Sequence, residues 1–279
     1  MFEWCEGCRA LQPALSHTVQ LIDSARSSHS LVPTQALVVG CGTSALSAEV
    51  QEAGIERVHS VDVDAAAIQF MREQHKQHER LTWQVMDLTV VPAEGLASGA
   101  FDLVVDKGTL DYFLCGEALQ SASALANVHA ALAADGLMLL VSLHPMDLVR
   151  SLFKDGTLGF LEVSSWVIAA ELPKEPLKAS GAGLTSAMLL RRLPLARPWS
   201  IEQREVAMAH LVSVIDTHFV TAVPLLTPGR EAGLREAWTA GRLSVAEAHL
   251  AMFPALAERA EYDLDLFTED LRASGLDFQ

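Results

Sequence analysis

Gly40, Asp62, Asp87 and Asp106 each stand at the end of a short apolar run of this sequence. Those residue types suit ligand capture. Carboxylates accept hydrogen bonds from hydroxyls, amides and amines, and glycine lets a backbone come close to a bound molecule. Gly40-Cys41-Gly42 follows Ala36-Leu-Val-Val directly and opens a helical stretch. The third glycine of a dinucleotide fingerprint is missing, with Thr43 and Ser44 in its approach, so a pyrophosphate site is disfavoured. The alternative for the glycines alone is a structural turn. Asp62 comes 22 residues after Gly40, where an acid can accept from both ribose hydroxyls and repel a 2′-phosphate. Asp64 fits a helix N-cap, which leaves Asp62 for a ligand; capping by both acids is the competing reading. Asp87, in Val85-Met-Asp-Leu-Thr, is placed to take an adenine amino group or to serve as an ordinary turn acid. In Asp106-Lys-Gly-Thr-Leu-Asp111 a charged cluster leaves a buried run. Such a cluster has little use in a core and suits a ligand ammonium or a substrate amine. A salt-bridged loop is the alternative for Lys107 and Asp111.

The elements that must hold these residues alternate between strand and helix. Residues 36–39 and 58–64 read as strands around a helix with Ser44 at its N-cap and Gly54 as its terminator, making a right-handed βαβ unit. A helix over 65–78, strands over 81–86 and 101–105, a helix over 117–134 and a strand over 137–143 follow. This alternation predicts an α/β, Rossmann-like doubly wound, mostly parallel sheet covered by helices on both faces. Residues 161–170 and 186–192, joined by a Pro-, Lys- and Gly-rich loop, predict a hairpin that finishes the sheet with an antiparallel edge strand. In open sheets of this kind ligands sit beyond the carboxyl ends of the strands, where the four marked residues fall. From Ser200 onward the pattern is helical. Ser200-Ile-Glu-Gln and Ser244-Val-Ala-Glu fit the capping box, and Ile201, Met208, Leu211, Val212, Ile215 and Phe219 share one face. The expected division is a binding domain over 1–195 and a helical extension over 196–279, serving as lid, substrate-binding element or oligomer contact.

Composition bounds the function. In 279 residues, Lys+Arg 20 against Asp+Glu 35 leaves a formal charge of −15, which opposes binding to nucleic acid or an anionic membrane surface. Half the residues are hydrophobic, enough for a substantial core. Asp135 and Gly136 interrupt the best apolar stretch short of the ~18 residues of a membrane span. The start lacks a secretory pattern, so a cytoplasmic protein is expected. Cys5 and Cys8 have C-x-x-C spacing, but Cys41 and Cys115 offer no second knuckle, so no metal is expected. Ser142 lacks a nucleophile elbow and no P-loop occurs. His144 follows the fifth main strand as a conceivable general base or a packed histidine. Lys174, Lys178, Arg191, Arg192 and Arg197 against Glu175 offer a local basic stretch for an acidic partner, or a solvated loop.

Taken together, Leu37-Val-Val-Gly-Cys-Gly-Thr-Ser-Ala-Leu-Ser, Met86-Asp-Leu-Thr and Val104-Val-Asp-Lys-Gly-Thr-Leu-Asp resemble the class I, seven-strand S-adenosylmethionine-dependent methyltransferases. The likeness is to the methyltransferase-like enzymes that modify lysines or the N-terminus of elongation factor 1-alpha, and to their citrate synthase lysine relatives. Phe2-Glu-Trp4 is similar to that group's segment before the first strand. The resemblance covers roughly residues 1–145. It implies S-adenosyl-L-methionine as cofactor. Gly40 and Gly42 would line its methionine part, Asp62 and Val63 its ribose, and Asp87 and Leu88 its adenine. Trp4 would pack over it or anchor the core, and Asp106 would stand by the methionine end. Asp106, Lys107 and Asp111 are the implied catalytic group. The family's aromatic and arginine residues upstream of Phe2 have no counterpart here, so the methionine carboxylate lacks an evident partner. The implied reaction is N-methylation of a protein lysine or N-terminus. Small-molecule methylation under a helical lid, and a non-catalytic nucleotide-binding assembly subunit, are the alternatives. Oligomerisation through the C-terminal helices is open.

Overall fold

Along Ala36–Val39 successive side chains leave the chain on opposite sides, and all four are buried. Ala36 and Val38 pack toward one helical layer, Leu37 and Val39 toward the other. A strand buried on both faces is the mark of a parallel sheet between helices. The computed structural model has that architecture and describes residues 8–26, 32–114, 118–144, 146–168, 185–194 and 199–222.

A 3-10 turn (Cys8–Leu11) leads into α1 (Gln12–Ala25), and β1 (Gln35–Val39), α2 (Leu46–Glu52), β2 (Arg57–Asp62), α3 (Ala65–Gln74) and β3 (Leu81–Val85) follow. Next come β4 (Phe101–Lys107), α4 (Thr109–Leu114), α5 (Ala118–Ala131), β5 (Leu132–Ser142) and α6 (Met146–Phe153). The described chain closes with β6 (Phe160–Ile168), β7 (Thr185–Arg192) and α7 (Ile201–Ala222). Strand order is β3-β2-β1-β4-β5-β7-β6, with β1 to β5 parallel and β7 antiparallel to both neighbours. The antiparallel strand is therefore β7, lying inside the outermost strand β6. One face of the sheet packs on α1, α2 and α3; the other packs on α4 to α7.

Several boundaries differ from expectation for local reasons. The helix expected over 117–134 ends at Ala131, because Leu132 already pairs with Phe101 at the start of β4. The helix expected over 65–78 stops at Gln74; Asp64 caps its start by accepting from the Ala66 N–H at 2.8 Å. Ser44 is not the N-cap of α2, which Ala45 occupies; from one residue before it the Ser44 hydroxyl accepts from the Leu46 N–H. Gly54 does end that helix, in a left-handed conformation. Ser200 accepts from the Gln203 N–H and starts α7 as predicted. On α7 the buried stripe is Ala207, Leu211 and Ile215, whereas Ile201 is 68% exposed and Val212 also faces outward. α7 packs against α5 in the same core as β4 and β5. Helices α1, α4 and α6 were not anticipated. Phe219's side chain, the 244 capping box and most of the 174–197 basic stretch lie outside the described residues, as do Trp4, Cys5 and the side chain of Cys8.

Candidate functional site

The switch point of this sheet lies between β1 and β4, where chain order reverses; in open α/β sheets the binding crevice lies beyond the carboxyl ends at such a point. Register sets what meets at that edge. Val39 pairs with Val61 on one side and with Asp106 on the other, and Asp62 pairs with Val85. Gly40, Asp62, Asp87 and Asp106 are thus brought to one edge across four neighbouring strands.

The glycine turn has two glycines with different duties. Both are left-handed, Gly40 at φ 56° and Gly42 at φ 49°. A Cβ on Gly40 would lie 2.0 Å from Thr109 Oγ1. Thr109 uses that approach to donate from Oγ1 to the Val39 carbonyl at 3.0 Å, tying the β4–α4 turn to the end of β1. Gly40 is therefore occupied by packing. A Cβ on Gly42 would meet nothing within 4 Å, so this glycine leaves open space. Between them Cys41 is buried; desolvation, with help from Asp62, pushes its thiol up to about 12 and keeps it protonated.

Asp62 Oδ2 accepts from the Gly42 N–H at 2.7 Å, and Oδ1 accepts from the Asp64 N–H at 2.8 Å. The acid at the end of β2 thereby shapes the turn after β1. A carboxylate has about four acceptor positions, so two bonds leave capacity for ribose hydroxyls. Val63 beside it is 69% exposed at the crevice edge. Asp87 is exposed, and its Oδ1 accepts from both the N–H and the hydroxyl of Thr89, an Asx turn. Leu88 next to it is buried.

Asp106 is 4% exposed. Its Oδ1 accepts from the Thr109 N–H at 2.9 Å, and the Leu110 N–H is shared between its two oxygens. These are first-turn donors of α4, and burial of an acid needs them. Burial outweighs them, and with nearby Asp111 it raises the Asp106 carboxyl to about 7. A small apolar cavity lies behind it, lined by Val39, Leu88, Phe113, Leu125 and Met138 among others.

Asp111 does something other than what its place in the cluster suggests. Oδ1 accepts from Ser142 Oγ at 2.6 Å and Oδ2 from the Leu143 N–H at 2.7 Å. It clamps α4 to the end of β5. His144 is buried with Nε2 3.8 Å from Asp111 Oδ1, and desolvation lowers its pKa against the pull of that acid. Lys107 is buried at the last position of β4, paired with Val141. The roles of Thr109 and Ser142 are what the sequence does not reveal: Ser142 enters there only as a nucleophile without an elbow, whereas here it donates to Asp111. Thr109's signal was its place three residues after Asp106; Ser142 had no signal of its own. Among the described residues no cluster of three or more His, Cys, Asp or Glu could hold a metal ion.

Residues 37–138 match the family model described as a methyltransferase domain, the segment from β1 into β5. Over this segment the chain is similar to methyltransferases. It is 46% identical over 81 residues to the EEF1A lysine methyltransferase 4 of Bos taurus, covering 29% of this chain and 31% of that one. It is 29% identical over 137 residues to the eEF1A lysine and N-terminal methyltransferase of Bos taurus, covering 47% of this chain and 18% of that one. The matched segment thus spans under a third of the length of these curated relatives. Among solved structures the chain is similar to the N-methyltransferase NodS from Bradyrhizobium japonicum, with TM-score 0.48 and 17% identity over 66% of this chain and 87% of that one.

S-adenosylmethionine is the cofactor of such a methyltransferase domain, and the residues present fit it. Gly42 keeps open the space that a side chain would fill. Asp62 has acceptor capacity facing the crevice, and its charge suits ribose hydroxyls. Asp87 and Leu88 lie one strand further out, at the distal end expected for the base. The apolar cavity beside Asp106 suits the uncharged part of a ligand.

Proposed function

We propose that this chain transfers a methyl group from S-adenosylmethionine to an amine nitrogen of a protein, a lysine side chain or an N-terminus. The observation that carries this reading is Asp106: a buried carboxyl at the switch point, held by the first-turn amides of α4 beside an apolar cavity and raised to about 7. When bound, the cofactor supplies a sulfonium methyl and a thioether leaving group, so the protein's task is alignment of the attacking nitrogen. An amine attacks only after losing its proton. The apolar surroundings of Phe113, Leu125 and Met138 favour the neutral amine by desolvation. Asp106, near 7, is matched to accept that proton at neutral pH. Asp111, with both oxygens engaged, holds the α4 turn that presents Asp106, and buried Lys107 fixes the end of β4. In this account Gly42 and Asp62 hold the sugar and methionine portions, with Asp87 and Leu88 at the adenine. The curated relatives named above support a protein acceptor, elongation factor 1-alpha being the first to try.

The test is incubation of the chain with methyl-labelled cofactor and two acceptor pools, recombinant elongation factor 1-alpha and a small-metabolite extract. Label on lysine or an N-terminal amine of the protein supports the proposal. Label confined to the extract replaces it with small-molecule methylation, and no transfer to either replaces it with a binding subunit.

A further inference from the structure

Asn127 sits in the middle of α5, in a run of small and apolar residues, yet its side chain is 4% exposed and fully engaged. Its Nδ2 donates to the Leu88 carbonyl at 2.8 Å and to the Val90 carbonyl at 2.8 Å, and its Oδ1 accepts from the Ala93 N–H at 3.0 Å. All three partners belong to the loop that leaves β3. A buried amide that meets three main-chain groups of one loop fixes that loop's path, because any displacement strands desolvated polar groups. The loop carries Asp87 and Leu88. Within three residues along the same helix, Ala124, Leu125 and Val128 line the cavity beside Asp106. A single helix therefore supports the outer and the inner end of the crevice.

We propose that Asn127 is a positioning residue for the cofactor: it sets the height of the Asp87–Leu88 turn against the adenine end of the site, while the α5 residues beside it support the reacting end. This rests on the cofactor reading above. Asn127 touches neither cofactor nor acceptor. Its loss is felt in capture of the adenosine moiety and leaves the chemistry at Asp106 in place.

Asn127→Asp keeps size and one acceptor but turns an oxygen toward two carbonyls; Asn127→Ala removes all three bonds. Leu211→Ala, in the α7 core away from the loop, serves as a destabilised control. Three readouts are compared on the whole chain: S-adenosylhomocysteine affinity by calorimetry, steady-state methyl transfer, and amide hydrogen exchange without ligand. The expected result for both Asn127 variants is affinity weakened about tenfold or more. The Michaelis constant for the cofactor should rise in step, with turnover at saturation within about twofold. Exchange over residues 86–93 should quicken selectively, with that of β2 unchanged. Leu211→Ala should lower thermal stability and leave affinity within about twofold. If one Asn127 variant fails to fold, the other carries the comparison. Wild-type affinity retained in a folded Asn127 variant, or unchanged exchange over 86–93, overturns the inference alone. A wild-type chain that binds no S-adenosylhomocysteine overturns the cofactor reading and this inference with it.

Discussion

Asp106 bears two consequences of being a buried acid. Its carboxyl titrates near 7 in the folded chain against about 3.8 when exposed. A raised acid makes the fold favour the protonated form. The corresponding stability is full below about pH 4 and is lost as pH rises to about 7. Asp106→Asn should abolish that dependence, so urea denaturation from pH 4 to 8 should show the wild type losing ground to the variant over that window. The same change should cut methyl transfer by roughly tenfold or more at neutral pH, since general-base contributions run to about 10²–10⁴. The two glycines should separate in the same spirit. Gly40→Ala meets Thr109 Oγ1 and a left-handed backbone, and should cost about 2–4 kcal/mol in denaturation. Gly42→Ala carries only the backbone strain, about 1–2 kcal/mol, yet puts a methyl group into the open space that the proposal gives to the cofactor, and should weaken binding more than its stability loss suggests. Sequence alone marked Gly40, Asp62, Asp87 and Asp106, because a residue type at a strand end is visible in the pattern. It read Gly40 and Gly42 as equals. Only the close approach of Thr109, far along the chain, to Gly40 distinguishes them.

At the scale of elements, what was legible is what depends on short-range pattern. The buried strands, the Asp64 cap and the Ser200 start all announce themselves within a few residues. The end of α5 did not. Ala131 and Leu132 are equally good helix formers, and only the pairing of Leu132 with Phe101 decides the switch to strand. The same holds for α7. Leu211 and Ile215 lie on the stripe that meets α5, but nothing local distinguishes them from Val212, which faces out. Helix α1, with Ala14, Leu15, Thr18, Val19 and Ile22 buried at helical spacing, was readable and went unread. Because Leu211 is fully buried in the sheet's own core, Leu211→Ala should lower the stability of the whole fold by about 2–5 kcal/mol in one cooperative transition. Unfolding of α7 in a separate, earlier transition would instead favour an independent extension.

For the molecule as a whole, seven strands in the order β3-β2-β1-β4-β5-β7-β6 bring residues from four separate stretches of chain to one edge. Helices cover both faces of the central strands β1, β4 and β5, so their carboxyl edge is the place where polar residues can serve a ligand. No helix among the described residues is long and apolar enough to cross a membrane, and the formal charge of −15 sets the chain against polyanionic partners. Chemistry, cofactor and acceptor all hang on one claim, that this edge holds S-adenosylmethionine by its ribose at Asp62. The most direct measurement is calorimetric titration of S-adenosylhomocysteine, with NAD in parallel, into the wild-type and Asp62→Ala chains. Each hydrogen bond to a charged acceptor is worth roughly 1.5–3 kcal/mol, so the account predicts one-to-one binding of S-adenosylhomocysteine, weakened roughly tenfold or more by Asp62→Ala, and no comparable response to NAD. Tight binding of NAD with no response to S-adenosylhomocysteine, or equal affinity in a folded Asp62→Ala chain, would contradict it.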